Sequence, residues 1–128
     1  MARILIVDDE RDVVTLIKFM LEKDGNMITA VYNGAEALAK LGVEPRNETA
    51  IIPDLVILDM MMPVMDGCAV RARLMEDERT KTVPVIVLSA RGDIKAHFDP
   101  AIGVTTYVEK PFDPKVLREA VASLLKKH

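Results

Sequence analysis

The stretch LVILDMMMPVMDG, residues 55–67, decides the fold of this chain. Its first four residues are aliphatic and do not alternate with polar ones, which is typical of a strand covered on both faces. A carboxylate, Asp59, comes directly after them, and an Asp-Gly pair then leads into a segment of helical period. Because an isolated charge at the end of a buried strand is costly, we expect the other strand ends to carry groups that compensate it.

Five short apolar runs alternate with segments of helical period along the chain. The runs predict strands at 4–7, 27–31, 55–58, 83–88 and 105–108. Helices are predicted at 12–25, 34–41, 67–77, between 93 and 102, and at 113–127. Since right-handed crossovers are the usual way to join parallel strands, this alternation predicts an α/β fold. We expect one doubly wound, flavodoxin-like (βα)5 domain over residues 1–128, with a five-stranded parallel sheet and helices on both faces.

Two of the predicted helices have clear apolar stripes. The first should end at Gly25 and bury Val13, Leu16, Ile17, Met20 and Leu21. The last should bury Val116, Leu117, Ala120, Val121, Leu124 and Leu125. Asp113 is a candidate N-cap for that last helix, with Pro114 at its first position. The Asp66-Gly67 pair predicts a cap and turn before the third helix, and the polar stretch 42–49 predicts a surface loop.

Composition narrows the class of protein. The chain has 128 residues, of which 50% are hydrophobic and 29% charged, enough for one compact domain. Its net charge is −3, and no basic run is longer than Lys126-Lys127, so we expect no direct contact with nucleic acid. The single cysteine, Cys68, allows no internal disulfide and favours the cytoplasm. No apolar stretch approaches the roughly eighteen residues that a membrane span needs, and no signal peptide is apparent.

Polar side chains collect where the predicted strands end. Asp8, Asp9 and Glu10 follow the first strand, Asp59 the third, Ser89 and Ala90 the fourth, and Glu109, Lys110 and Pro111 the fifth. In a parallel sheet these ends share one edge, where such folds bind their ligands. Neighbouring carboxylates repel each other, so a cation is expected among them. An open set of oxygen ligands completed by water suits Mg²⁺ better than Ca²⁺.

Asp59 is the candidate nucleophile of this edge. A carboxylate beside Mg²⁺ and the Lys110 ammonium can attack a phosphoryl group and form an aspartyl phosphate. The two cations would neutralise the oxygens of the transferring group, so no general base is required. Ser89 could donate a hydrogen bond to the new phosphate, and the small Ala90 would leave room for it.

Five motifs, taken together and in order, resemble the receiver domain of two-component response regulators. They are LIVDDE (5–10), NGAEAL (33–38), PDLVILDMMMPVMDG (53–67), PVIVLSA (84–90) and YVEKPF (107–112), and the resemblance covers residues 3–126. It implies that Asp59 is the phosphoacceptor. It also implies that Asp8, Asp9 and Asp59 hold Mg²⁺ together with the backbone carbonyl of Met61.

The resemblance further implies how the domain switches and with what it exchanges phosphate. Ser89 corresponds to the switch hydroxyl, Lys110 to the phosphate-contacting lysine, and Tyr107 to the aromatic residue that turns inward on activation. The implied phosphodonor is a sensor histidine kinase or a histidine phosphotransfer protein. The output face would comprise the fourth helix, fifth strand and fifth helix, and phosphorylation offers a route to a homodimer. Since the protein is itself the substrate that its site modifies, we expect a switch rather than an enzyme.

Other interpretations stay open from the residues alone. Asp8 and Asp9 could form a solvated turn, Lys110 could be a surface lysine, and Ser89 could cap a helix. The chain could also be an interaction module that signals without phosphate. A phosphatase with an aspartyl intermediate is disfavoured, because no second acid lies two residues after Asp59. An NTPase is disfavoured because there is no glycine-rich phosphate loop. The methionines at 60–62 and 65 favour packing over a soft-metal site.

Three features depart from the family pattern. Val64 is β-branched at a loop position that would be strained if it needs a positive φ. The stretch GVEPRNETAII (42–52) is longer than usual before the third strand and predicts a surface insertion. Pro100 falls within the predicted fourth helix, which it should shorten or kink. The resemblance also favours a cis bond between Lys110 and Pro111.

Overall fold

The computed structural model describes residues 1–90 and 105–127 of the chain. The strands are β1 (Arg3–Val7), β2 (Met27–Val31), β3 (Leu55–Asp59), β4 (Val85–Ala90) and β5 (Thr105–Lys110). The helices are α1 (Arg11–Lys23), α2 (Gly34–Lys40), α3 (Gly67–Met75) and α4 (Pro114–Lys127). The helix predicted between 93 and 102, with Pro100, lies outside the described residues. None of the described helices is long and apolar enough to cross a membrane.

All five strands form one parallel sheet in the order β2-β1-β3-β4-β5. Val7 at the end of β1 pairs in register with Val31 of β2 and Leu58 of β3. The carboxyl ends of these three strands therefore lie at the same level of the sheet. Towards the β5 edge of the sheet, Asp59 of β3 pairs with Leu88 of β4, and Lys110 of β5 pairs with Ala90 of β4. This arrangement confirms the predicted doubly wound α/β fold.

The core lies on both faces of the sheet, as the lack of alternation in β1, β3 and β4 predicts. Along β1, Leu5 and Val7 pack with α2 and α3, whereas Ile4 and Ile6 pack with α1 and α4. All five residues of β3 are buried. The central strands are therefore covered on both faces, and their side chains are exposed only at the strand ends.

The predicted apolar stripes were correct except at their margins. Leu16 in α1 is 47% exposed and Val116 in α4 is 50% exposed, so both expectations of burial were wrong. In α1 the buried stripe is centred on Val14, Ile17 and Leu21, and Leu16 lies about 100° around the helix from Ile17. Val116 lies in the first turn of its helix, where it is one position before the buried Leu117.

The helix ends follow the predicted capping chemistry. The Asp66 side chain accepts a hydrogen bond from the Ala69 N–H before α3, and Asp113 accepts one from the Lys115 N–H before α4. After α1 the chain turns at Gly25, whose φ of +90° favours glycine. The surface loop was also predicted correctly, because residues 44–49 are all exposed.

Candidate functional site

The carboxyl ends of β1, β3 and β5 bring three charged side chains to one edge of the sheet. Asp8 follows the last residue of β1, Asp59 is the last residue of β3, and Lys110 is the last residue of β5. Asp8 is completely buried, and Asp59 is 3% exposed. The expectation that these segments meet at one rim is therefore confirmed.

The Lys110 ammonium is the cation around which this cluster forms. Its Nζ donates to Asp8 Oδ2 at 3.0 Å and to Glu10 Oε1 at 3.0 Å. It also lies 3.3 Å from Asp59 Oδ1. Burial alone would lower the pKa of Lys110, but the hydrogen bonds to Asp8 and Glu10 and the charge of Asp59 raise it above its ordinary value. Lys110 is therefore a permanent positive charge in this site.

Asp8 has both carboxylate oxygens engaged. Its Oδ1 accepts a hydrogen bond from the Glu10 N–H at 2.9 Å, while Oδ2 accepts from Lys110. Its own N–H donates to the Val31 carbonyl, which ties it to the end of β2. Asp8 is thus held rigidly in place, as a residue that orients a cation needs to be.

Asp59 has one engaged oxygen and one that remains available. Its Oδ1 accepts from the Met61 N–H at 3.3 Å and lies beside Lys110. Within the described part of the chain, Oδ2 accepts no hydrogen bond. Burial, and then the charge of Asp8, raise the pKa of Asp59 to about 7, while Lys110 and the Met61 N–H oppose that rise. Such a carboxylate is poised between its two protonation states at neutral pH.

One carboxylate oxygen each from Asp8, Glu10 and Asp59 lie within 4.8 Å of one another. All three are hard oxygen donors, which is the set that Mg²⁺ prefers. Asp9, the second acidic ligand expected from the sequence, is exposed and is not in this group. Glu10, which follows the same strand, is in the group instead.

The remaining predicted site residues surround this cluster. Ser89 is fully buried, and its hydroxyl donates to the Ala90 carbonyl at 3.2 Å. Tyr107 is partly buried against the core on the α2 and α3 side of the sheet. Met61 has an exposed side chain, and its backbone reaches Asp59 through the N–H bond. The bond between Lys110 and Pro111 is cis.

The loop after β3 holds Asp59 in place through close packing of the backbone around Gly67. This contact was not predicted from the sequence. A Cβ placed on Gly67 would lie 2.6 Å from the Asp59 carbonyl oxygen and 2.9 Å from Met60 Cα. The Gly67 N–H also donates to the Met60 carbonyl at 2.9 Å. The Asp-Gly pair was a signal for this approach but was interpreted only as a cap and turn. In the same loop Val64 has a φ of +70°, a conformation that is strained for a β-branched residue.

The methionines of this loop pack rather than form a soft-metal site. Met60 and Met62 are buried, and the partly buried Cys68 thiol lies 3.5 Å from the Met60 sulfur. Burial raises the pKa of the Cys68 thiol, so it stays protonated. Met61 is the exception to burial, since its side chain is 64% exposed.

Comparison with known proteins agrees with this geometry. The family model of the response regulator receiver domain matches residues 4–122. PhoP, the alkaline phosphatase synthesis transcriptional regulatory protein of Bacillus subtilis, is 33% identical over 98% of this chain and 49% of its own length. RpaA, a DNA-binding dual master transcriptional regulator of Synechocystis, is 37% identical over 99% of this chain and 50% of its own. The chain thus spans about half the length of these relatives.

A solved structure shows the same fold. The response regulator receiver domain protein of Clostridium thermocellum is 30% identical, with a TM-score of 0.81 over 99% of this chain and 96% of its own. The sheet order, the acidic rim and the family match lead to one assignment. The chain belongs to the response regulator receiver domains, the phosphorylation-dependent switches of two-component signalling.

Proposed function

We propose that Asp59 is the residue that receives the phosphoryl group. The observation that supports this proposal is the difference between the two carboxylate oxygens of Asp59. Oδ1 is fixed by the Met61 N–H and by Lys110, whereas Oδ2 is not engaged by any described residue. A fixed carboxylate with one uncommitted oxygen is the arrangement that in-line attack on phosphorus requires.

In this transfer Asp59 Oδ2 forms a bond to phosphorus as the bond from phosphorus to the donor nitrogen breaks. The proposed donor is a phosphohistidine of a sensor kinase or phosphotransfer protein, and its imidazole leaves with the electron pair. Lys110 lies close enough to Asp59 to neutralise charge on the phosphoryl oxygens. When bound, Mg²⁺ would supply further neutralisation of the same oxygens.

We propose that Asp8, Asp59 and the Met61 carbonyl hold this Mg²⁺, with a third carboxylate from the Asp9-Glu10 pair. The family resemblance favours Asp9 as this third ligand. The carboxylate of Glu10 lies beside those of Asp8 and Asp59, which favours Glu10 instead. Mg²⁺ titrations of Asp9→Asn and Glu10→Gln separate the two. The variant that lacks the third ligand should bind Mg²⁺ about 10- to 100-fold more weakly, and the other should stay close to the parent chain.

We propose that phosphorylation is read out through Ser89 and Tyr107. A phosphate adds about −1.5 to −2 charges at Asp59. It would draw the Ser89 hydroxyl away from the Ala90 carbonyl, and Tyr107 would then move into the space released. The proposed output face comprises β5, α4 and the expected helix between 93 and 102, with an effector or a second copy as its partner.

A surface for the phosphodonor is proposed on α1. Phe19 and Leu16 are 63% and 47% exposed on this helix, which begins directly after the acidic cluster. Apolar side chains exposed side by side are typical of a protein-binding patch. We propose that the donor docks on this patch. We also propose that residues 1–128 act as one receiver domain in the cytoplasm, and that this domain makes no direct contact with nucleic acid.

The test of the phosphoacceptor is intact mass after incubation with acetyl phosphate and Mg²⁺. The chain should gain a single phosphoryl group that hydroxylamine removes, as an acyl phosphate requires. Asp59→Asn should gain none. The matched control is Asp54→Asn, an exposed carboxylate at the opposite end of the same strand, which should be phosphorylated like the parent chain. An unmodified parent chain, or equal modification of Asp59→Asn, would overturn the proposal.

A further inference from the structure

The opposite rim of the sheet contains a cavity that the phosphoryl chemistry does not use. It has a volume of about 370 Å³ and lies at the amino ends of β1 and β2, on the face that carries α2. Arg3 opens β1, whereas Asp8 follows its other end. The cavity and the acidic cluster are therefore separated by the length of a strand, about 16 Å for five residues.

The cavity exists because α2 is too short to cover the strands beneath it. The helix has seven residues, which extend about 10 Å, against about 16 Å for each five-residue strand. Thr29 of β2 is left exposed on that face. The loop between α2 and β3, which contains the inserted stretch 42–52, returns over the gap and supplies Asn47 and Ile51 as one wall.

The loop is pinned open by contacts from other segments. Arg79, beyond the end of α3, donates to the carbonyls of Gly42 at 2.6 Å and Asn47 at 2.7 Å. Asp77 holds the Arg79 guanidinium at 3.1 Å. At the far end of the loop, the Asp54 side chain accepts from the Arg3 N–H at 2.8 Å. With both ends tied, the loop roofs the gap instead of collapsing into it.

The lining has an apolar floor and a positive rim. Leu5 and Leu41 lie beneath the floor and are almost completely buried, whereas the exposed large apolar side chains of the lining are Met27 and Ile51. Arg3 and Lys40 stand at the rim, and among the described residues neither side chain has an acidic partner. None of the described residues that line the cavity is acidic, although the whole chain carries a net charge of −3.

We propose that this cavity is a binding site for a small amphipathic anion, an apolar chain or ring that ends in a carboxylate. Its volume lies in the range of small-molecule sites, which combine an apolar lining with a few polar groups that fix orientation. The apolar body would lie against Met27 and Ile51, and the carboxylate would lie between Arg3 and Lys40. The site is independent of Asp59 and of the proposed phosphoryl transfer.

The test is a calorimetric titration of the 128-residue chain with decanoate below its micelle concentration. We expect saturable binding. Acetate, which has the head without the tail, and decyltrimethylammonium, which has the tail with the opposite charge, should bind at least tenfold more weakly. Equal binding of the cationic amphiphile, or no saturable binding of decanoate, would overturn the proposal.

Variants locate the binding on the chain. Thr29→Phe places an aromatic ring in the cavity at a strand position that tolerates it, and should abolish binding. Lys40→Gln should weaken binding about two- to fivefold, the effect of a partly exposed ion pair. Its matched control, Lys18→Gln on the exposed face of α1, should leave binding unchanged. Full binding by Thr29→Phe would place the ligand elsewhere and refute the site.

Discussion

The ammonium of Lys110 lies 3.3 Å from Asp59 Oδ1 and thereby joins the end of β5 to the end of β3. The same nitrogen donates to the fully buried Asp8. One side chain therefore compensates two carboxylates that have almost no access to water. Removing a partner from such a cluster leaves charges with nothing to offset their desolvation.

Lys110→Ala should lower the free energy of unfolding by about 3 kcal/mol in the absence of Mg²⁺. Added Mg²⁺ should restore part of that loss, because it supplies the positive charge that the variant lacks. Urea denaturation with and without Mg²⁺ measures both effects. Lys81→Ala is the control, since Lys81 pairs with Glu78 at 2.7 Å on the exposed surface and its loss should cost less than about 1 kcal/mol. Equal losses in the two variants would contradict this account.

The raised pKa of Asp59 predicts the pH dependence of stability. The group keeps its proton up to a pH of about 7 in the folded chain but loses it near its ordinary pKa of 3.8 when unfolded. Between those values the folded state binds more protons, so stability falls as the pH rises. The fall should be on the order of 2–4 kcal/mol between pH 4 and pH 8 without Mg²⁺.

Asp59→Asn isolates this contribution, because it removes the titrating group and nearly keeps its shape. The variant should be more stable than the parent chain at pH 8, and the difference should disappear towards pH 4. Urea denaturation in EDTA across that range measures it. Parallel pH profiles for the two chains would show that Asp59 is not the group responsible.

The strands and most of the site could be predicted because both follow from the apolar runs in the sequence. Apolar runs without alternating polar residues indicate strands buried on both faces, and in a parallel sheet the residues that follow such strands meet at one edge. Asp8, Asp59 and Lys110 were identified in this way, and the structure brings them together.

The choice between Asp9 and Glu10 could not be predicted in the same way. Beyond the end of β1 the strand geometry no longer fixes where side chains point, and the turn into α1 decides which carboxylate faces Lys110. That turn is set by the bond from the Glu10 N–H to Asp8, which has no signature in the periodicity. The margins of helical stripes are unpredictable for a related reason. A shift of one residue moves a side chain by about 100° around the helix. Leu16 and Val116 each lie one position before a buried residue, and this is enough to expose them.

Gly67→Ala should disturb the site through the backbone. The added Cβ would meet the Asp59 carbonyl oxygen and Met60 Cα, and neither atom can move without shifting the end of β3. We expect a loss of about 1–3 kcal/mol in unfolding free energy, together with slower phosphorylation by acetyl phosphate.

Gly25→Ala is the matched control for that substitution. Its Cβ would meet nothing within 4 Å, although its φ of +90° carries a strain cost. It should therefore lose stability without a change in phosphorylation rate. A normal phosphorylation rate in Gly67→Ala would contradict the proposed role of this close contact.

Arg79→Ala should loosen the inserted loop without affecting the acidic rim. The variant loses two hydrogen bonds to loop carbonyls and the pair with Asp77, whose pKa Arg79 holds below its usual value. We expect a lower free energy of unfolding and faster amide exchange across residues 42–50. Arg46→Ala, at a largely exposed side chain, should change both much less. Unchanged exchange in Arg79→Ala would show that another contact holds the loop.

Because Arg79 donates to main-chain carbonyls, its contacts do not require particular side chains at the exposed positions of the loop. Substitutions at an exposed position such as Glu48 are thus free to accumulate while the path of the chain stays fixed. This makes the segment a natural attachment point for fluorophores or epitope tags. A label there would report on the domain from the rim farthest from Asp59 and leave the phosphoryl chemistry undisturbed.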